Sequence, residues 1–292
     1  MTRRRVVVTG LGLISPVGNT VAEGWANLIA GKTGIANVTK FDASALACRF
    51  AGEVKGFNVE EYFPAKEARH MDTFIHYGMA ASIQAVRDAG LKSGDELSED
   101  QAERIGVIVG SGIGGLQLIE ATHKEYSERG PRRISPFFVP ASIINMISGH
   151  VSIHYGFKGP NLAIVTACTT GLHCIGEAGR LIEYGDADIM VAGGAESTVS
   201  PLGIGGFAAA RALSTRNDDP TRASRPWALA ATAVLASLEL PATPPAYRRR
   251  LLALAEALLD AGPMRLRGIT AERIVEGLVS RYLVVPGAGG WG

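Results

Sequence analysis

The chain has 292 residues, of which 47% are hydrophobic and 20% are charged, and its formal net charge is +1. This length and apolar content support a sizeable core, in one large domain or two modest ones. The near-neutral balance gives no global electrostatic argument for binding nucleic acid or an acidic membrane surface. No run of about 18 uncharged apolar residues occurs, so we expect no transmembrane helix and no membrane partner.

The cysteines bear on the compartment and on metal binding. Cys48, Cys168 and Cys174 are too few, and odd in number, for a disulfide framework, so we expect a reducing cytoplasm. They also lack the spacing of a zinc site. We therefore expect neither a metal nor another cofactor.

Strands and helices are predicted to alternate along the chain. Short apolar runs closed by glycine indicate buried strands, and longer amphipathic runs with a glycine stop indicate helices. The alternation predicts an α/β layered fold with largely parallel strands. The predicted strands are 5–9, 104–109, 161–167 and 188–192, and the predicted helices are 22–30, 70–89, one that begins near Leu116, 141–150 and 169–184.

The composition changes after Trp227. Residues 228–292 contain no lysine and no histidine, and all their basic residues are arginines. We therefore predict a domain over residues 1–227 and an unrelated tail over residues 228–292, joined by a frameshift or a gene fusion. The tail has a plausible amphipathic helix at 247–260 and a segment at 285–292 that we expect to be unstructured.

Cys168 lies between a predicted strand and a predicted helix. The thiolate is the reactive form of cysteine, and a helix N-terminus favours an anion through its dipole and its free N–H groups. The backbone near Cys168 could also cradle an oxyanion, and Ala167, Thr169 and Gly171 leave room for a substrate carbonyl. The alternative is a small buried residue, the commoner fate of a free cysteine.

Six segments, in order over residues 2–227, resemble β-ketoacyl-acyl carrier protein synthase II, the elongating condensing enzyme of fatty acid synthesis. The resemblance implies a thiolase-like layered α-β-α-β-α fold, with the first half present and the second half missing or replaced. It also implies a homodimer with the strand before the nucleophile at the interface. The segments are RRVVVTGLG (4–12), GSGIGG (110–115), SPFFVP (135–140), TACT (166–169), VAGGAE (191–196) and GGF to RALSTRN (205–217).

The resemblance places the family's nucleophile on Cys168, which would take an acyl group from acyl carrier protein before a decarboxylated malonyl unit attacks it. Ile113 and Phe207 match positions that line the family's acyl pocket, with ordinary core packing as the alternative. Three arginines are candidates for docking the acidic carrier protein, with a solvated surface role as the alternative. They are Arg132, Arg133 and Arg211.

For two other features of the sequence, a structural interpretation is favoured over a functional one. The glycine run at 110–115 superficially fits a dinucleotide fingerprint, but no suitable acidic residue follows, so turn geometry and packing are favoured. His173 lies five residues after Cys168, and on one continuous helix that spacing would point it away from the nucleophile. We therefore interpret it as a packed or surface histidine.

The resemblance stops at Trp227, before the region that carries the family's two histidines and lysine. We expect decarboxylation and condensation to fail for want of these donors, and the helix after Cys168 to expose its apolar surface unless the tail or a partner covers it. Two other hypotheses stay open. One is a non-catalytic chain-length subunit, against which the retained Cys168 argues, and the other is a thiolase-like transferase that uses coenzyme A thioesters.

Overall fold

The computed structural model describes residues 4–224. The predicted helix at 247–260 and the segment at 285–292 lie outside these residues, and the predicted domain boundary stays a prediction. The helices are α1 (Val21–Ile29), α2 (Ala65–Ala68), α3 (Thr73–Asp88), α4 (Glu99–Glu103), α5 (Leu116–Arg129), α6 (Phe138–Ser142), α7 (Met146–Tyr155), α8 (Thr170–Tyr184) and α9 (Pro201–Ala209). The strands are β1 (Ile35–Asn37), β2 (Phe50–Gly52), β3 (Ile105–Gly110), β4 (Asn161–Leu162) and β5 (Ile189–Gly194).

A three-stranded parallel sheet in the order β4-β3-β5 forms the centre of the described residues. Val107 of β3 is in register with Asn161 on one side and with Val191 on the other. Helices α3 and α7 pack on one face of this sheet, and α8 packs on the other. The parallel strands and the layering agree with the sequence prediction and with the first half of a thiolase-like fold.

The main core lies between the sheet and the pair α3 and α7. Successive residues of a strand point to opposite faces, so Val107 and Val109 enter this core while Ile108 enters the smaller cluster under α8. Phe74 and Ile147 are fully buried on the two helices. This face is therefore a closed layer, built from side chains that lie within the described residues.

A buried carboxylate joins the beginnings of two helices. Asp72 is the N-cap of α3, where its Oδ1 accepts a hydrogen bond from Phe74 N at 3.2 Å. Its Oδ2 accepts another from Leu118 N, in the first turn of α5, at 2.8 Å. Burial raises the pKa of this carboxyl above its usual value. The cap also explains why α3 begins at Thr73, three residues later than predicted.

Within residues 4–224, no element covers the outer surface of α8. Leu172 is 69% exposed and Ile175 is 52% exposed, whereas Cys174 between them is fully buried against the sheet. The expectation that this helix exposes apolar surface is thereby confirmed for the described residues. Such a patch usually marks a surface that another polypeptide covers.

The predicted strand at 5–9 is wrong. No strand forms there, and Val7 and Val8 are 60% and 76% exposed. An apolar cavity of about 380 Å³ lies between this segment and β5, so the two form no ladder, and β5 has no partner on that side among the described residues. The glycines that follow pack closely on α3, since a Cβ on Gly10 or Gly12 would clash with the carbonyl oxygen of Ala85 or Ala81.

Two further boundaries differ from the prediction. The helix predicted at 141–150 is divided between α6 and α7, because Ile143 is extended with ψ 142°. The strand predicted at 161–167 is only two residues long, since β3 pairs with it at Val107 and Ile108 alone. The antiparallel pair of β1 and β2, with Ile35 opposite Gly52, was not predicted.

Candidate active site

Cys168 lies in a tight turn between β4 and α8. Residues Ala167–Thr169 form one turn of 3-10 helix, and α8 begins at the next residue. Cys168 is exposed, as the nucleophilic reading requires. Ala167, directly before it, has a φ of 53°, a left-handed conformation that costs a residue with a Cβ about 1–2 kcal/mol. Such strain is typical of functional sites, where the surrounding structure has to hold it in place.

Hydrogen bonds tie the residues before Cys168 to those after it. Thr166 N donates to Thr170 Oγ1 at 2.9 Å, and Thr169 N donates to Thr166 O at 3.2 Å. Thr166 Oγ1 is also 2.7 Å from Nδ1 of His173, in the first turn of α8. His173 is exposed, in agreement with its interpretation as a surface histidine, and this hydrogen bond also ties it to the residue two positions before Cys168. Cys168 lies before α8 rather than on it, so helical spacing does not relate the two residues.

The two cysteines near this turn have opposite surroundings. Cys168 is exposed at the N-terminal end of α8, where the partial positive charge of the helix dipole favours an anion. Cys174 is fully buried beneath Ile108, and burial raises the pKa of its thiol. A nucleophilic role is thus open to Cys168, whereas Cys174 has the surroundings of an inert packing residue.

The glycine run at 110–115 wraps around a carboxylate of the chain itself. Glu196 Oε2 accepts hydrogen bonds from the amides of Gly112 and Ile113, each at 2.9 Å. Its Oε1 accepts from Ser111 Oγ at 3.0 Å and from Gly114 N at 3.3 Å. Because these donors are already paired, the loop holds an internal anion, which supports the predicted turn role over a phosphate site.

Ile113 and Phe207 come from separate elements. Ile113 belongs to the glycine loop and is 43% exposed, and a Cβ on its neighbour Gly112 would lie 3.4 Å from Ala167. Phe207 is on α9 and is 42% exposed. The structure thus brings the loop of Ile113 against the Cys168 turn and places Phe207 on a different helix.

A glutamate holds the beginning of the helix that carries Phe207. Glu120 of α5 accepts hydrogen bonds from Ser200 Oγ at 2.7 Å and from Leu202 N at 2.9 Å. Glu196 and Glu120 therefore fix the two elements to which Ile113 and Phe207 belong. Sequence reasoning assigned no role to either carboxylate, although a loop with several free amides always needs an acceptor.

The three candidate docking arginines are exposed, but they lie on two separate segments of the chain. Arg132 and Arg133 lie in the 3-10 turn Pro131–Arg133, between α5 and α6. Arg211 follows α9 and has a φ of 56°, at a helix end where glycine is the usual residue. An arginine that keeps a strained backbone conformation is a candidate for a role of its side chain.

Two other kinds of site are not found in the described part of the chain. Residues 4–224 hold no group of three or more His, Cys, Asp or Glu side chains placed to bind a metal ion. None of their helices has the length and apolar content needed to cross a membrane.

A parallel sheet between helical layers, with an exposed cysteine at the turn before a helix, defines an α/β protein of the thiolase-like class. The comparisons with known proteins then give the family. The model described as beta-ketoacyl synthase, N-terminal domain, matches residues 3–236, and the chain belongs to this family.

Relatives and solved structures agree with this assignment. The chain is 61% identical over 227 residues to a 3-oxoacyl-[acyl-carrier-protein] synthase 2 of Vibrio cholerae and 54% identical to one of Coxiella burnetii. These alignments cover 78% of this chain and 54% of each relative, so the chain spans about half their length. A beta-ketoacyl synthase from Burkholderia phymatum is 30% identical with a TM-score of 0.67, over 77% of this chain and 54% of that one.

Proposed function

We propose that this chain supplies the nucleophilic half of a 3-oxoacyl-acyl carrier protein synthase of fatty acid biosynthesis, and that Cys168 accepts the acyl group. The observation that carries the proposal is the exposed thiol of Cys168, presented by a strained turn at the N-terminal end of α8. The similarity to 3-oxoacyl-[acyl-carrier-protein] synthase 2 over residues that include this turn supports it.

The proposed step is a transthioesterification. The thiolate Sγ of Cys168 attacks the carbonyl carbon of the carrier-bound acyl thioester and forms a new carbon–sulfur bond. The bond to the carrier's sulfur then breaks, and the carrier leaves as a thiolate that takes a proton from solvent. We propose that a backbone amide of the Cys168 turn stabilises the oxyanion that develops on the carbonyl oxygen.

In the family, decarboxylation and condensation use two histidines and a lysine, and these 292 residues have no evident counterparts. Its last lysine is Lys158 and its last histidine is His173. Loss of one donor to a developing oxyanion costs about 100-fold in rate or more, so we propose that residues 1–292 by themselves carry out acyl transfer without decarboxylative condensation. Malonyl-loaded carrier protein would then bind without turnover.

The proposed partner is acyl carrier protein, which would dock on Arg132, Arg133 and Arg211. All three side chains are exposed, and acidic surfaces are attracted to such cations. A ketosynthase that is 28% identical to this chain, with a TM-score of 0.61, has been solved in complex with its type II polyketide acyl-carrier protein. That complex supports the same kind of partner here.

We also propose a cytoplasmic homodimer that forms along β4. This strand is at the edge of the three-stranded sheet among the described residues, and Leu162 on it is 46% exposed. Ile153 on the adjacent helix α7 is 77% exposed. An unpaired edge next to apolar surface is a common site of association between identical chains.

The test is to incubate the full chain with acyl carrier protein that bears a saturated acyl group and to measure intact mass. We expect one acyl adduct, mapped to Cys168 and released by hydroxylamine. Cys168→Ala should abolish it and Cys48→Ala should not. Acylation by acyl-coenzyme A but not by the carrier would favour the coenzyme A-dependent transferase.

The absence of any adduct on Cys168 would favour the non-catalytic chain-length subunit. The exposed apolar face of α8 at Leu172 and Ile175 is the observation that supports this second candidate function. A ketosynthase/chain length factor of ishigamide synthesis is also 29% identical to this chain, with a TM-score of 0.60.

The docking arginines have a test of their own. The Arg132→Ala/Arg133→Ala double variant should slow acylation by the carrier protein about 10-fold at low salt and leave acylation by acyl-coenzyme A unchanged. Lys92→Ala removes a different exposed cation and serves as the control. Equal rates for all these proteins would remove the arginines from the docking surface.

A further inference from the structure

His173 is an exposed residue that contacts the turn of the candidate nucleophile. Its Nδ1 is 2.7 Å from Oγ1 of Thr166, two residues before Cys168, and its own side chain is exposed. We propose that His173 is a positioning residue, which acts through Thr166 to hold the turn that presents Cys168. The proposal rests on the proposed role of Cys168 as the acyl acceptor.

The turn that presents Cys168 is strained. Ala167 has a φ of 53°, which a residue with a Cβ avoids unless neighbouring interactions enforce it. The residue immediately before it is Thr166, so bonds that fix Thr166 also limit the conformations open to Ala167. A turn held in this way keeps Cys168 in one place at the N-terminal end of α8.

Helix α8 holds Thr166 at two points. Its amide donates to Thr170 Oγ1 at 2.9 Å, and its hydroxyl is bonded to His173. Both partners belong to the first turn of α8 and follow Cys168 in the chain, whereas Thr166 precedes it. Loss of the His173 bond would leave the Thr166 side chain free to rotate and the Ala167 turn less constrained.

The contact of His173 favours a positioning role over proton transfer and over packing. Its Nδ1 is bonded to a hydroxyl rather than to the Cys168 sulfur, so it acts on the turn and not on the reacting atom. Its neighbour Cys174, by contrast, is fully buried in the cluster under α8. Substitution of the exposed His173 should therefore leave the helix packed against the sheet.

The experiment measures the rate of Cys168 alkylation by iodoacetamide in the full 292-residue chain, followed peptide by peptide. His173→Ala and Thr166→Val each remove the bond, and we expect each to slow alkylation about 5-fold, the effect of one hydrogen bond of ordinary strength. His173→Asn and Thr166→Ser can keep a bond and should restore most of the rate. The double variant should be no slower than either single one, because both remove the same interaction.

The rate at Cys174 in the same samples is the internal control. It should stay unchanged, and a parallel rise in Cys174 alkylation would overturn the inference because it would show that α8 itself had loosened. Wild-type alkylation of Cys168 in both His173→Ala and Thr166→Val would also overturn it.

Failure of the proposed function would give a different result from failure of the inference about His173. Cys48 and Cys174 are buried and will react slowly for that reason alone, so a small-molecule thiol of ordinary pKa is the sharper reference for Cys168. If Cys168 in the unchanged chain reacted no faster than this reference at neutral pH, or took no acyl group, the proposed function would fail whatever the variants did.

Discussion

The two faces of the central sheet are built differently. On one face, α3 and α7 bury Phe74 and Ile147 completely against β3. On the other, α8 buries Cys174 inward and leaves Leu172 and Ile175 exposed. The same strand serves both faces, because Val107 and Ile108 point in opposite directions.

This difference shows that α8 has the pattern of an inner layer. A surface helix has one apolar side, whereas α8 has apolar residues toward the sheet and away from it. The described residues cover only the first of these sides. The candidate nucleophile lies at the beginning of this helix, so the half-covered region of the molecule is also the one that carries the proposed chemistry.

The largest effect should come from removing one large side chain on each face. Ile147→Ala should lower the free energy of unfolding by about 3 kcal/mol, since the cavity it leaves in the closed layer cannot be filled. Leu172→Ala should change it by less than about 0.5 kcal/mol, because that side chain is already exposed. Urea denaturation measures both. A loss for Leu172→Ala as large as that for Ile147→Ala would mean that the outer face of α8 is covered in solution.

Adding one methyl group to each face should give smaller changes in stability, and the two changes should have opposite signs. A Cβ at Gly78 of α3 would lie 2.7 Å from two carbons of Ile147, so Gly78→Ala should destabilise the chain by about 1–3 kcal/mol. Gly176 of α8 has nothing within 4 Å of such a Cβ, and Gly176→Ala should stabilise it by about 0.5–1 kcal/mol.

Ile147→Val in the Gly78→Ala background is the control, and it should recover part of the loss by making room for the methyl group. The same sign of change at Gly78 and Gly176 would contradict the difference between the faces.

The turn that leads into α8 gives a third contrast. Ala167→Gly should raise stability by about 0.5–1 kcal/mol, because glycine accepts the positive φ without strain. Ala178→Gly, in the interior of α8, should lower stability by about that amount or more. Thermal melting compares the two. A loss of stability in Ala167→Gly would show that the turn is not strained in solution.

The smallest effect is expected where the N-terminal segment approaches β5. Arg104 and Arg4 bond to Asp188 and lower the pKa of its carboxyl to about 2. Because this folded-state pKa is below the unfolded one, the ion pairs stabilise the fold above about pH 4, and their contribution disappears between pH 4 and pH 2.

Asp188 is half exposed, so the contribution should be about 0.5 kcal/mol or less. Asp188→Asn should remove that part of the acid dependence of stability, and Asp186→Asn is the matched control. An acid dependence that is identical in the unchanged chain and in Asp188→Asn would contradict the assignment.

The elements with strong local signals were predicted well. α1, α8, β3 and β5 form within two residues of their predicted ends, because their apolar patterns and glycine stops are local features. The segment at 5–9 has an equally strong strand pattern and forms no strand, since a cavity separates it from the free edge of β5 and leaves it without ladder hydrogen bonds. The break between α6 and α7 at Ile143 depends on an extended backbone conformation that no local residue pattern predicted.

The sequence by itself determined the family, the alternation of strands and helices, and the place of Cys168 before a helix. Only the tertiary structure decided which groups surround that residue. Glu196 and His173 are 28 and 5 residues from Cys168 in sequence, yet one binds the loop that touches its turn and the other binds the threonine before it. Neither contact follows from residue spacing, because each depends on where the strands end and on how the chain reverses at Ala167.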